Sequence, residues 1–263
     1  MLDQDRPLPL DQVVERGLAI FNATLPQALG LAVIGALGVN LTVHFALGAD
    51  TAEVVRLLAA GRFGELLERF GTLLLAIGVL SFAVNTTVLH LVGTLARGQR
   101  GDGLASLAAV LRLLPPLLLA CLGYLVALWL GLALLVLPGL FVGVALSFFV
   151  QAALFDGQRG LAALGASWRL TRGHWWRSFA LYLAIGAALL LAMLIASLIA
   201  GAVVAALGAL GVGAAPLAEL VVGSLCGAVV NLGVEAVLVA YYYDLTVRAG
   251  TRRGPPAPST IAA

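Results

Sequence analysis

Lysine is absent from this chain. All 15 basic residues are arginine, set against 13 acidic ones, and charged residues of every kind make up only 11% of the 263. So little charge excludes a soluble globule of this length, which needs a polar skin over its whole surface. Cysteine is almost as scarce. Cys121 and Cys226 each lie inside an apolar run, where they read as small core residues and carry no redox information. The three histidines, His44, His90 and His174, are far apart, and no Cys/His/carboxylate group has metal-ligand spacing. There is no phosphate loop, no nucleophile elbow and no aspartate pair suited to intramembrane hydrolysis or lipid phosphotransfer. The expectation is a protein without enzymatic activity, cofactor, metal or nucleic-acid partner.

What the chain does contain is apolar. Hydrophobic residues make up 62% and the mean hydropathy is +1.06. A bilayer span needs about 20 mostly apolar residues. Six stretches qualify: 25–48, 71–95, 114–137, 139–155, 178–208 and 217–247. Residues 1–24 carry Asp3, Asp5, Asp11 and Glu15, unlike a cleavable signal peptide, so the first span is expected to stay as an anchor. The third and fourth spans meet at Pro138-Gly139, which predicts a tight hairpin there. The fold expected is all-α and polytopic. A single six-span domain covers 1–248, and a disordered cytoplasmic tail covers 249–263.

Arginine placement sets the orientation. With the N-terminus inside, twelve arginines fall on inner segments: Arg6, Arg16, Arg97, Arg100, Arg112, Arg159, Arg169, Arg172, Arg177, Arg248, Arg252 and Arg253. Only Arg56, Arg62 and Arg69 fall outside. Both termini are therefore expected in the cytoplasm. Three inner segments, 11–24, 103–113 and 159–177, read as amphipathic surface helices leading into spans. In the last, Leu161, Leu164, Trp168, Trp175 and Phe179 share one face, while Arg159, Arg169, Arg172 and Arg177 can meet anionic headgroups. In the outer loop, Phe63, Leu66, Leu67 and Phe70 predict a short surface helix.

Two patterns suggest an internal repeat. GLASLAAVLRLL (103–114) and GLAALGASWRLT (160–171) share seven of twelve positions. Span four reads Gly139-x3-Gly143-x3-Ser147-x3-Gln151, and span six reads Gly223-x3-Gly227-x3-Asn231-x3-Glu235. Span two keeps Ser81-x3-Asn85. Four-residue spacing puts each set on one helical face, where glycines suit close packing and amides suit interhelical hydrogen bonds. Three copies of surface helix, span, span would bring Asn85, Gln151 and Glu235 together about a pseudo-threefold axis. Ser81, Ser147 and Asn231 would lie a turn further out. Glu235 is the costliest member, since a carboxylate near the bilayer centre carries an insertion cost of about 2.5–3.5 kcal/mol.

The segment from Pro138-Gly139 through Ala166, Ser167, Trp168, Arg169, Arg172, Gly173 and Trp175, with Tyr242-Tyr243-Asp244-Leu245 before Arg248, carries a resemblance. It resembles the membrane domain attached to some glycerophosphoryl diester phosphodiesterases and the stand-alone, YciC-like bacterial inner-membrane proteins related to it. The resemblance implies a bacterial inner-membrane location and no settled biochemical function. The chain lacks the residues and the length of the phosphodiesterase barrel, so that activity is not carried over. The function expected is that of a non-catalytic inner-membrane protein that organises lipid or partner proteins. The alternative is a transporter or permeation pathway built on the polar stripes around Glu235.

Overall fold

The computed structural model describes residues 6–48, 50–210 and 215–250. Nine helices and no strand are found among the described residues: α1 (Leu10–Leu47), α2 (Thr51–Ala59), α3 (Phe63–Ala96), α4 (Gly103–Leu134), α5 (Val136–Leu146), α6 (Phe149–Phe155), α7 (Leu161–Thr171), α8 (Trp175–Ala209) and α9 (Ala215–Arg248). Among the described residues six segments are long and apolar enough to cross a membrane: α1, α3, α4, α5 with α6, α8 and α9. In hydrocarbon every backbone group must find an internal partner, which is why apolar runs of this length resolve as helices. Of the tail expected to be disordered, only Ala249 and Gly250 are described, and the rest lies outside the described residues.

The spans match the six apolar stretches, but their ends differ. Residues 11–24 are not a separate surface helix; they are the first turns of α1. Residues 103–113 are likewise continuous with α4, whose N-cap Asp102 accepts the Ala105 N–H at 3.1 Å. The helix then runs through Pro115-Pro116. The segment between spans one and two is also redistributed. Its short helix is Thr51–Ala59, and Phe63–Phe70 begins α3. Leu66 and Phe70 there pack with Leu47 and Leu57, fastening α2 to the ends of α1 and α3.

The hairpin between spans three and four turns at Leu135, in extended conformation, and not at Pro138-Gly139. Both of those residues sit in the first turn of α5. A first-turn proline costs little, because its missing N–H would have had no partner there. Gly139 instead serves the close approach of the two spans, since a Cβ on Gly131 would lie 2.8 Å from the Gly139 Cα.

Span four is discontinuous. The helix tightens at Ser147–Phe148 between α5 and α6, although its apolar run predicts an unbroken span. The segment 159–177 also divides. α7 ends at Arg172-Gly173, where Gly173 has φ +87°, and α8 begins at Trp175.

The main core gathers at the arginine-rich end of the bundle. Val13, Ile20, Val88, Val92, Phe148, Leu232, Tyr241 and Tyr242 are all buried there, joining α1, α3, α8 and α9 to the junction of α5 and α6. A second cluster, Leu117, Ala120, Phe149, Ala153 and Ala163, seats α6 and α7 against α4. Toward the opposite end α8 is largely uncovered. Leu190, Met193, Leu194 and Leu198 are all exposed.

Candidate functional site

Among the described residues the most heavily constrained carboxylate is Asp244, near the end of α9, fully buried. Its Oδ1 accepts the Leu8 backbone N–H at 2.8 Å. Its Oδ2 accepts from Arg177 Nη2 at 3.0 Å and Arg248 Nε at 2.7 Å. Both guanidinium groups also donate to the Leu8 carbonyl, Arg177 at 2.6 Å. One carboxylate and two arginines therefore clasp both main-chain groups of the residue two positions before α1. Tyr241, one turn back on α9, shares a hydrogen bond of 2.9 Å with Ser178 and lies under the Arg177 guanidinium at 5.7 Å. Tyr242 donates to Asp156 in the turn after α6. The Tyr-Tyr-Tyr-Asp segment is thus the knot that ties the start of α1, the end of α6, the start of α8 and the end of α9.

Two of the polar stripes are joined by a hydrogen bond. Asn231 Nδ2 donates to Asn85 Oδ1 at 3.0 Å, bridging α9 and α3. Asn85 Nδ2 in turn donates to the Ser81 carbonyl at 2.8 Å. It is therefore Asn231, one turn before Glu235, that stands level with Asn85. Glu235 Oε2 and Gln151 Oε1 are buried without a hydrogen-bond partner among the described residues. Ser147 donates to the Val144 carbonyl at 2.9 Å, turned to its own helix at the interruption of span four. Among the described residues the hydrogen bond that joins the stripes is the Asn231–Asn85 amide pair, and neither Gln151 Oε1 nor Glu235 Oε2 takes part in one.

The glycines of the two long stripes also part company. Gly139 serves the hairpin described above, and a Cβ on Gly143 would come within 3.2 Å of Leu128. Gly223 and Gly227, by contrast, face open space, with nothing within 4 Å of an added Cβ. The expected close packing does not occur there. A groove of about 420 Å³ lies along that face between α9 and α8.

Of the expected headgroup contacts, Arg159, Arg169, Arg172 and Trp168 are exposed. Arg177 is not: it belongs to α8 and its charge is taken up by Asp244. Trp175 is half-buried and packs back on its neighbours. Its indole N–H donates to the Phe141 carbonyl at 3.0 Å and its ring stacks on Phe141 and Phe179. α7 packs on the protein through Ala163, Ala166, Ser167, Leu170 and Thr171, while Leu161 and Trp168 are exposed. Sequence reasoning missed Leu8, Asp156 and the structural weight of Asp244. The signal available was a lone aspartate four residues before Arg248, on the same helical face.

A family model described as a domain of unknown function, DUF7847, matches residues 10–245. No curated protein and no solved structure matches the chain.

Proposed function

The chain belongs to the DUF7847 family, and we propose that it is a non-catalytic integral membrane protein that organises lipid or partner proteins. The observation that carries this reading is the uneven build of the bundle. One end is knotted by Asp244 and its arginines. Along the spans, α8 offers bare apolar surface and α9 an open glycine face. A bundle that leaves helix faces uncovered beside a groove has surface to give to lipid or to another membrane protein. Purification in mild detergent is expected to bring down a reproducible set of lipids or a stoichiometric membrane partner. Recovery of the bare chain from several detergents, with neither, would end this reading.

The resemblance to phosphodiesterase membrane domains and YciC-like proteins supports the same reading, with the bacterial inner membrane as its location. The arginine distribution supports cytoplasmic termini, and the exposed Arg159, Arg169 and Arg172 suit anionic headgroups there. In a background with Cys121 and Cys226 replaced, single cysteines at Gln99 and Arg159 are expected to label from the cytoplasm. One at Gly64 is expected to label from the other side. Labelling of Gly64 and Arg159 from the same side would overturn the orientation.

Transport is the second reading. Its specific support is the interruption of span four at Ser147–Phe148, close to the unpartnered Gln151, together with the unpartnered Glu235. Interrupted helices and intramembrane carboxylates recur where ions or solutes pass.

A further inference from the structure

Two cavities share Gly223. The groove between α8 and α9 is apolar for most of its length, walled by Leu189, Met193, Ala196 and Gly227, and reaches Asn231. The second cavity, about 700 Å³, opens between α1 and α9 at the end away from the Asp244 knot, and Asn40, His44, Thr51, Glu219 and Ser224 line it. Gly223 lines both. Because a side chain at Gly223 or Gly227 would meet only open space, these glycines leave room beside the helix instead of drawing two helices together.

An apolar groove that meets a polar pocket at a shared glycine has the polarity of an amphiphile. The pocket's charge selects the headgroup. Among the described residues, Glu219 makes no ion pair and no arginine lines the pocket. Asn40 already donates to Ser224 at 2.9 Å, and the Thr51 hydroxyl to the Leu47 carbonyl at 2.7 Å. Glu219, exposed and without an ion pair among the described residues, lines the same pocket as His44, whose ring N–H can serve a phosphate oxygen. We propose that this composite site binds one phospholipid with a primary-amine headgroup. Its ammonium meets Glu219, its phosphate is within reach of His44, and an acyl chain lies along Gly227 toward Asn231. The inference rests on the lipid-organising reading and gives it a site and a lipid class.

The test is native mass spectrometry of the delipidated full chain titrated with phosphatidylethanolamine, phosphatidylcholine or phosphatidylglycerol. A single phosphatidylethanolamine adduct is expected to outlast the phosphatidylcholine adduct by about tenfold, the size of one charge-assisted hydrogen bond that choline cannot donate. Glu219→Gln is expected to bring the two lipids level. Gly227→Leu fills open space and replaces a poor helix former. It is expected to abolish both adducts without lowering the thermal midpoint. Equal retention by wild type and Gly227→Leu would overturn the groove, and preference for phosphatidylglycerol would overturn the headgroup. A dimer that Gly227→Leu breaks would assign the groove to a second copy instead. A chain that ignores phosphatidylethanolamine yet co-purifies with other lipids or proteins loses this site alone; one that co-purifies with nothing loses the wider reading as well.

Discussion

Asp244→Ala is expected to cost about 3–5 kcal/mol, the usual penalty for removing one member of a buried ion cluster. The loss exceeds that of a surface pair because two guanidinium groups, each 19% exposed, are left facing each other. The Leu8 N–H loses its acceptor in the same step. Asp244→Asn should cost less, since an amide oxygen can still accept from Leu8 or one arginine, though the charge that balances them is gone. Arg177→Ala should cost less again, because Arg248 continues to hold both Asp244 and the Leu8 carbonyl. The thermal midpoint in detergent should therefore fall most for Asp244→Ala, then for Asp244→Asn, then for Arg177→Ala. Proteolysis should open the chain ahead of α1 in the same order. An Asp244→Ala protein that melts with wild type and resists protease equally would show that the knot does not hold this end.

Hydropathy found the spans because crossing a bilayer demands apolar length, and that demand is local. It misplaced their ends because a helix stops for reasons hydropathy does not record. Residues 103–114 and 160–171 illustrate this. Seven of their twelve positions are shared. Yet the first runs on through Pro115-Pro116 as part of α4, while the second ends at Gly173 with positive φ and stands alone as α7. The likeness in sequence does not carry over to form, because the residues C-terminal to each segment decide whether its helix continues. Pro138-Gly139 misled for a related reason: the pair is a breaker inside a helix but not in its first turn.

The site was less legible than the fold. Asn85 and Asn231 were recognisable as intramembrane amides, and they do pair. Spacing alone does not show which turn of α9 stands level with Asn85, and the residue that bonds it is Asn231, one turn before Glu235. The Asp244 knot was harder still. Its partner is the backbone of Leu8, 236 residues away, and a main-chain donor leaves no mark in sequence. Arg177 looked like a headgroup contact because it follows a tryptophan-rich run. Only the start of α8 at Trp175 turns it inward.

An interrupted span must find partners for the backbone groups it frees, because hydrocarbon offers none. Here α7 supplies them. Ser167 Oγ accepts the Phe148 N–H at 3.0 Å and donates to the Ala145 carbonyl at 3.0 Å. Thr171 Oγ1 lies 2.9 Å from the same carbonyl, its one proton shared between Ala145 and the Ser167 carbonyl of its own helix. Both hydroxyls are essentially inaccessible to solvent. Ser167→Ala leaves the Phe148 N–H buried and unpaired, at about 1–3 kcal/mol. Adding Thr171→Val strips the Ala145 carbonyl of both side-chain donors, and the pair of changes is expected to cost roughly twice that. Thr171→Ser keeps the hydroxyl and is expected to stay near wild type. Hydrogen exchange gives the local readout: the Phe148 amide should lose protection in Ser167→Ala, while amides of α1 and α9 keep theirs. If the double variant melts with wild type and Phe148 stays protected, the two hydroxyls are not what holds the break. The interruption would then belong to the packing of Phe148 among Tyr182, Tyr241 and Tyr242.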